Sequence, residues 1–145
     1  MPLFSILGIS LLVALIPAQS NVTAAQTATI TGELSYPSDF DFPPMIVCAE
    51  AVTSKSIHCT AKRIQNRRSR KFTYALRVPA GSYYVFATVP NGDDAAEGYR
   101  GYKAYYSEFV RCGLLVQCPS HDPVKVTVRA GQTLTRINPG DWYVD

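Results

Sequence analysis

Residues 72–90, FTYALRVPAGSYYVFATVP, constrain this chain more than any other stretch. Phe72, Tyr74, Leu76 and Val78 alternate with Thr73, Ala75 and Arg77, the period of a strand with one buried face. Pro79-Ala80-Gly81 interrupts the pattern. Proline presets φ for the first corner of a type I turn, and glycine suits the left-handed corner that strains a side chain. Tyr83, Val85, Ala87 and Val89 then resume the alternation. The stretch predicts a β-hairpin with a three-residue loop.

The remaining strands follow from turn chemistry. Residues 27–35 (TATITGELS) predict a first strand, and residues 36–44 a proline-rich loop, because proline lacks the donor a ladder needs. Residues 45–52 and 56–64 are the next two strands, separated by Thr53-Ser54-Lys55. Residues 66–70 (NRRSR) turn into the 72–90 stretch, and residues 91–98 form a loop. Tyr102, Tyr105, Tyr106 and Phe109 then stand at i, i+3, i+4 and i+7, predicting a short amphipathic helix over residues 101–110, with Gly113 at its far end. Residues 124–129 and 133–138 predict two closing strands around Ala130-Gly131-Gln132. Seven short strands and one short helix predict an all-β, antiparallel sandwich.

Compartment is read from the two ends of the composition. Residues 3–16 are apolar, too few to span a bilayer comfortably, and lead into small residues at Ala18-Gln19-Ser20 and Ala25. Residues 1–25 are therefore expected to be a signal peptide, leaving residues 26–145 as one domain without a transmembrane anchor, secreted or periplasmic. About 120 residues suffice for one real core and not for two. Four cysteines in an exported chain are an even set, as disulfides require. If the first turn centres on Thr53-Ser54, Cys48 and Cys59 face each other across an antiparallel ladder, where Cα atoms lie about 4.5–5.5 Å apart, within bridging reach. Cys112 and Cys118 then pair locally.

Several stretches together resemble a known family. Gly32-Glu33-Leu34, Ala49-Glu50-Ala51-Val52-Thr53, and Tyr74-x-Leu76-x-Val78-Pro79-Ala80-Gly81-Ser82-Tyr83-x-Val85-x-Ala87 resemble the carboxypeptidase regulatory-like, or transthyretin-like (prealbumin-like), domains. Tyr105-Tyr106-Ser107, Cys112-Gly113-Leu114, Cys118-x-x-His121 and Asp141-Trp142-Tyr143 look like an exported bacterial subgroup of them. The resemblance implies a Greek-key sandwich. It says little about activity, because such domains serve as accessory modules and carriers and rarely as enzymes.

One catalytic class of that fold, the 5-hydroxyisourate hydrolases, ends in Tyr-Arg-Gly-Ser with His and Arg in its site. Tyr99-Arg100-Gly101-Tyr102 departs from it in position and in its last residue, and the first strand holds no histidine. No nucleophile elbow, phosphate loop or zinc-protease helix is present, and the chain is expected to be non-catalytic and to take no cofactor. Only His58 and His121 are neutral-pH bases. Cys112, Cys118 and His121 offer a thiolate–imidazole set suited to zinc, but in an oxidising compartment the two cysteines are expected to pair instead. Asp93, Asp94 and Glu97 in one loop could contribute to a calcium site, which takes six to eight oxygens, but without the remaining ligand spacing a solvated acidic loop is the favoured reading. Tyr99, Tyr102, Tyr105, Tyr106, Trp142 and Tyr143 are candidates for a sugar-stacking platform, though such rings more often fill a core. Asn21-Val22-Thr23 has the form of a glycosylation sequon, relevant only if retained in a eukaryotic host.

The formal charge of +3 is modest, but its distribution is uneven. Lys62, Arg63, Arg67, Arg68, Arg70 and Lys71 crowd ten positions with no acid among them. Such a cluster is either a solvated turn that keeps strand edges from pairing or a patch for an anionic surface or polysaccharide. The favoured reading is an exported binding or structural module. The alternative is a carbohydrate- or polyanion-binding accessory protein using the 62–71 cluster or the aromatics.

Overall fold

The computed structural model describes residues 26–37, 42–90, 99 and 101–143. The proposed signal peptide, the sequon, Arg100 and the acidic trio Asp93, Asp94 and Glu97 lie outside the described residues. Strands β1 (Thr27–Leu34), β2 (Ile46–Ala51), β3 (Ile57–Thr60), β4 (Arg63–Gln65), β5 (Phe72–Pro79), β6 (Gly81–Thr88) and β7 (Ala104–Tyr105) come first. A one-turn helix α1 (Glu108–Arg111) and strands β8 (Val126–Val128) and β9 (Thr133–Leu134) follow. The protein is all-β, in two sheets. One runs β4-β5-β1-β9; in the other, β3-β2-β6 is continued along the free edge of β6 by β7 and β8, end to end.

Alternation places the core. Ala28, Ile30 and Leu34 of β1 and Tyr74, Leu76 and Val78 of β5 are buried against Val47 and Ala49 of β2, Tyr83, Val85 and Ala87 of β6, and Val126 and Val128 of β8. Burying a valine- or leucine-sized side chain stabilises by about 1.5–3 kcal/mol, so this double layer is what holds the sheets together. Trp142, 2% exposed, closes one end, its Nε1 donating to the Ser35 carbonyl at 2.7 Å.

Residues 72–90 form two strands as expected, but not a hairpin. β5 pairs with β1 and β4, whereas β6 pairs with β2, β7 and β8. The chain crosses between sheets at Ala80, whose N–H extends the β1–β5 ladder to Gln26. Gly81 already belongs to β6 and is not among the glycines with positive φ. The same alternation serves either geometry: a hairpin buries both apolar rows under one sheet, and an arch faces them across the sandwich. Two further crossings replace expected continuity. The single strand expected at 56–64 divides, β3 joining β2 and β4 joining β5. Likewise β8 and β9 do not pair; β8 lies antiparallel to β6, and β9 parallel to β1. Nine strand segments result among the described residues, and one pairing is parallel.

Two true hairpin turns share one geometry. Ala51 N–H bonds Ser56 O while Lys55 N–H bonds Ala51 O; Asn66 N–H bonds Lys71 O while Arg70 N–H bonds Asn66 O. Lys55 and Arg70, at φ 60° and 59°, take the left-handed position in each. The first turn sets Cys48 opposite Cys59, and both expected disulfides, Cys48–Cys59 and Cys112–Cys118, are present. Two disulfides suit an oxidising, extracytoplasmic compartment. Among the described residues, no helix is long and apolar enough to cross a membrane.

The helix expected over 101–110 shrinks to α1. Tyr105 is taken by β7 opposite Phe86, and Tyr106 N–H bonds Val85 O, so sheet pairing overrides the helical spacing of the aromatics. Ser107 caps α1, and Gly113 follows it at φ 97°, where glycine was expected.

Candidate functional site

The basic cluster is dismantled and rebuilt by the sheet. Strand alternation turns Arg63 inward: Nη1 donates to Pro43 O at 2.7 Å, and the guanidinium lies 4.5 Å from the Phe72 ring centre. Arg63 thus holds the proline-rich loop onto β5, half-buried, whereas the other cations of the cluster are exposed. Lys71 is exposed but paired with Glu33 at 2.8 Å. Arg67, Arg68 and Arg70 are exposed and, among the described residues, form no ion pair with an acid. Their turn is firmly built, since Asn66 Oδ1 accepts from the N–H groups of Arg68 and Ser69 at 2.9 and 3.1 Å. It presents three cations on a fixed frame at one end of the β4–β5 hairpin.

The cluster has neighbours that the sequence does not place beside it. Lys62 sits with Arg77 along a shallow hollow of about 470 Å³ lined also by Thr29, Ile64 and Ala75. A second hollow of about 530 Å³ shares Ile64 and Ala75 and reaches Thr31, Thr73 and Arg136. Together they make a trough on the outer face of the β4-β5-β1 layer, floored by threonine and alanine. Thr29 faces Arg77 and Thr31 faces Ala75 in the ladder, which is why the floor is low. Ile64, 56% exposed, and the cations Lys62, Arg77 and Arg136 stand above it. Arg77 and Arg136 escape sequence reasoning because 59 positions separate them; only the β1–β5 and β1–β9 pairings bring them to one face. Glu33 is the one acid lining either hollow, and Lys71 already neutralises it.

A second polar cluster forms where three short motifs converge. The Ser107 hydroxyl donates to Asp141 Oδ2 at 2.5 Å, and His121 Nδ1 lies 3.0 Å from both carboxylate oxygens. Ser107 and Asp141 are buried, and the His121 ring stacks on Phe109 at 4.3 Å between centres. Nothing in their spacing of 14 and 20 positions announces this meeting. The three residue types are those of a hydrolytic triad, but the connectivity differs. The serine hydroxyl donates to the carboxylate, where a hydrolytic triad has it donate to the imidazole. The cluster instead fastens the C-terminal segment to the start of α1. Zinc ligation by Cys112, Cys118 and His121 is excluded by the Cys112–Cys118 bond, because disulfide sulfurs are not thiolate ligands.

Of the aromatic candidates, Tyr99, Tyr102 and Trp142 cluster with their rings inclined to one another, and the others stand apart from that cluster. Trp142 is buried, with Tyr36, Tyr99 and Tyr102 packed around its ring at centre distances of 5.3, 5.5 and 6.2 Å. Tyr105 covers Phe86 on the outer face of the other sheet, where burial and then Glu50 push its phenol pKa upward. Tyr106 packs against the core, and Tyr143 is about half exposed. They form no shared flat surface for a sugar. His58 lies edge-on to Tyr83, and Tyr102 N–H bonds Tyr99 O at 3.0 Å.

No protein-family model and no curated protein matches the chain. Among solved structures, a leucine-rich repeat protein from Bacteroides thetaiotaomicron VPI-5482 is similar at 12% identity and a TM-score of 0.39. The match covers 81% of this chain, and the chain spans 14% of that protein's length.

Proposed function

We propose that the chain is an exported, non-catalytic β-sandwich module, of the Greek-key, transthyretin-like kind its motifs resemble, that binds a densely anionic ligand. The binding surface is the cationic trough on the outer face of β4-β5-β1, extended by the Asn66–Lys71 turn. One observation carries this reading: Lys62, Arg67, Arg68, Arg70, Arg77 and Arg136 stand exposed along one face and its turn, and the one acid lining the trough is already paired. A merely solvated face would be expected to intersperse both signs. The two disulfides support the exported location, and the serine–carboxylate bond supports a role without catalysis.

Retention on heparin, a dense polyanion, tests the surface. It should fall steeply between low and physiological salt, where screening shortens the field to about 8 Å. The triple change R67S/R68S/R70S should abolish retention at physiological salt, and K62S/R77S/R136S should weaken it, each leaving the melting temperature nearly unchanged. Retention unaffected by both would return these residues to the role of a solvated surface.

A further inference from the structure

The loop closed by Cys112–Cys118 holds three consecutive apolar side chains out to solvent. Helix α1 ends with Gly113 N–H bonded to Val110 O at 3.1 Å and Leu114 N–H to Phe109 O at 2.9 Å, a Schellman close. Cys118 N–H then bonds Leu115 O at 2.8 Å, and Cys118 is itself buried. On this frame Leu114, Leu115 and Val116 are 40%, 47% and 102% exposed. Leu114 sits at φ 59°, in the left-handed region that disfavours any side chain with a Cβ. A slack loop would fold such residues onto the protein. Here the disulfide, the Schellman bonds and the buried Cys118 keep the tip outward.

The surroundings identify what the tip meets. A cleft of about 330 Å³ has Val110, Gly113 and Leu114 among its lining residues, together with Glu33 and Lys71. Lys71 directly follows Arg70, so the apolar loop and the cationic turn adjoin at one end of the sandwich. The nearby Arg111 is neutralised by Glu108 at 3.1 Å, while Arg67, Arg68 and Arg70 have no acidic partner among the described residues. A soluble polyanion satisfies the cations and leaves the apolar tip in water. An anionic bilayer satisfies both, with phosphate at its surface and hydrocarbon just beneath. The tip is convex, as insertion requires, where a site for a protruding partner side chain would be a hollow.

We propose that this end of the molecule docks on anionic lipid bilayers, Leu115 and Val116 entering the interface while Arg67, Arg68 and Arg70 hold headgroup phosphates. The proposal rests on the anion-binding reading above and adds the lipid to it.

Flotation with phosphatidylcholine vesicles, with and without phosphatidylglycerol, run beside heparin retention, separates the two. The unsubstituted protein should float with the anionic vesicles and not with the neutral ones. L115S/V116S should reduce anionic-vesicle partitioning about tenfold through the lost apolar insertion, while heparin retention stays as it was. R67S/R68S/R70S should reduce vesicle partitioning roughly a hundredfold, about fivefold per cation, and should also abolish heparin retention. Trp142 is the chain's one tryptophan and is buried, so in V116W a blue shift of emission on anionic vesicles, absent with heparin, reports insertion of the tip. Vesicle binding unchanged in L115S/V116S, or V116W emission that does not move, overturns the lipid proposal, as does loss of heparin retention in L115S/V116S. Heparin retention then judges the anion-binding reading separately, which falls if that retention is absent or indifferent to the arginines.

Discussion

The Tyr74 hydroxyl donates to the Ile137 carbonyl at 2.6 Å, inside the sandwich. Ile137 N–H in turn bonds Thr31 O at 3.0 Å, and Asn138 Oδ1 accepts from the Glu33 N–H at 2.8 Å. Residues 137 and 138 are therefore tied to β1 beyond the short β9, by one backbone bond and one side chain standing in for backbone, and to β5 by the Tyr74 phenol. The arrangement explains why a tyrosine sits in a row otherwise filled by Phe72, Leu76 and Val78. Its ring fills the core and its hydroxyl satisfies a buried carbonyl.

Tyr74→Phe should therefore lower stability by about 1–3 kcal/mol, the penalty for stranding the Ile137 carbonyl. It should also change the alkaline limb. Burial first, and Tyr106 second, raise the Tyr74 pKa far above its ordinary value. A raised pKa means that the folded state keeps its proton after the unfolded chain has lost it, so this contribution is whole below about pH 10 and declines as pH rises beyond. Burial pushes Tyr83 and Tyr105 the same way. Denaturant midpoints measured from pH 8 to 11 should fall at the alkaline end, less steeply in Tyr74→Phe. An equal slope in both proteins would remove Tyr74 as a source.

Gly32 makes the Ile137 stitch sterically possible. A Cβ at this position would run into the Ile137 carbonyl oxygen and lie 2.9 Å from Asn138 Oδ1. The β1 backbone cannot retreat without breaking its ladder bonds to β5, nor residues 137 and 138 without breaking their bonds to Thr31 and Glu33. Gly32→Ala should cost about 3 kcal/mol, the upper part of the range for forcing an extra methyl into filled space. Gly101→Ala, where no atom lies within 4 Å, should cost only its backbone strain of about 1 kcal/mol at φ 72°. Equal losses of melting temperature at the two sites would contradict this account.

What the sequence disclosed follows from the range of each interaction. Strands at 27–34, 46–51 and 72–88 are legible because alternation is local. The Cys48–Cys59 pair is legible because its register is fixed by a turn between the two strands. The crossings at 61–62, at Ala80 and at 130–132 are not, because an arch and a hairpin present the same alternation, and only distant partners decide between them. The site divides the same way. Arg67, Arg68 and Arg70 are visible as a run, and their exposure follows from the turn. Arg63 looks the same in sequence, and one step of strand alternation puts it under Phe42 and Phe72. Arg77, Arg136 and the Ser107–Asp141–His121 cluster depend on pairings between segments far apart in the chain.

The two disulfides should differ in what they hold. Cys48–Cys59 joins β2 to β3 with Cys48 buried beside the core, and closing its 11-residue separation stabilises by about 3 kcal/mol on chain-entropy grounds. Cys112–Cys118 braces an exposed loop. C48A/C59A should lower the global melting temperature by roughly 10–15 °C, at about 3–6 °C per kcal/mol for a domain of this size. C112S/C118S should shift it less while raising amide exchange within residues 112–118. A larger global loss from the second pair would mean that the loop supports the fold rather than being carried by it.

The Ser107–Asp141–His121 cluster gives the sharpest separation of fastening from chemistry. Asp141 is a buried carboxylate whose charge is met by the Ser107 hydroxyl on one side and the His121 imidazole on the other. Asp141 N–H also bonds Tyr105 O at 3.2 Å, so loosening the side chain loosens the strand contact that seats Trp142. Ser107→Ala should cost about 1–3 kcal/mol, because a buried acceptor loses its donor without gaining water. His121→Ala should cost less, since the imidazole side is 26% exposed and water can take its place. The two losses should not add: both residues satisfy one carboxylate, and a coupling of about 0.5–3 kcal/mol is expected in the S107A/H121A cycle. Amide exchange at residues 140–143 should rise in each variant, together with a loss of Trp142 quenching by its tyrosine neighbours. If the variants instead keep the parent stability and exchange, and differ only in turnover of an ester substrate, the fastening role is wrong and the cluster is catalytic.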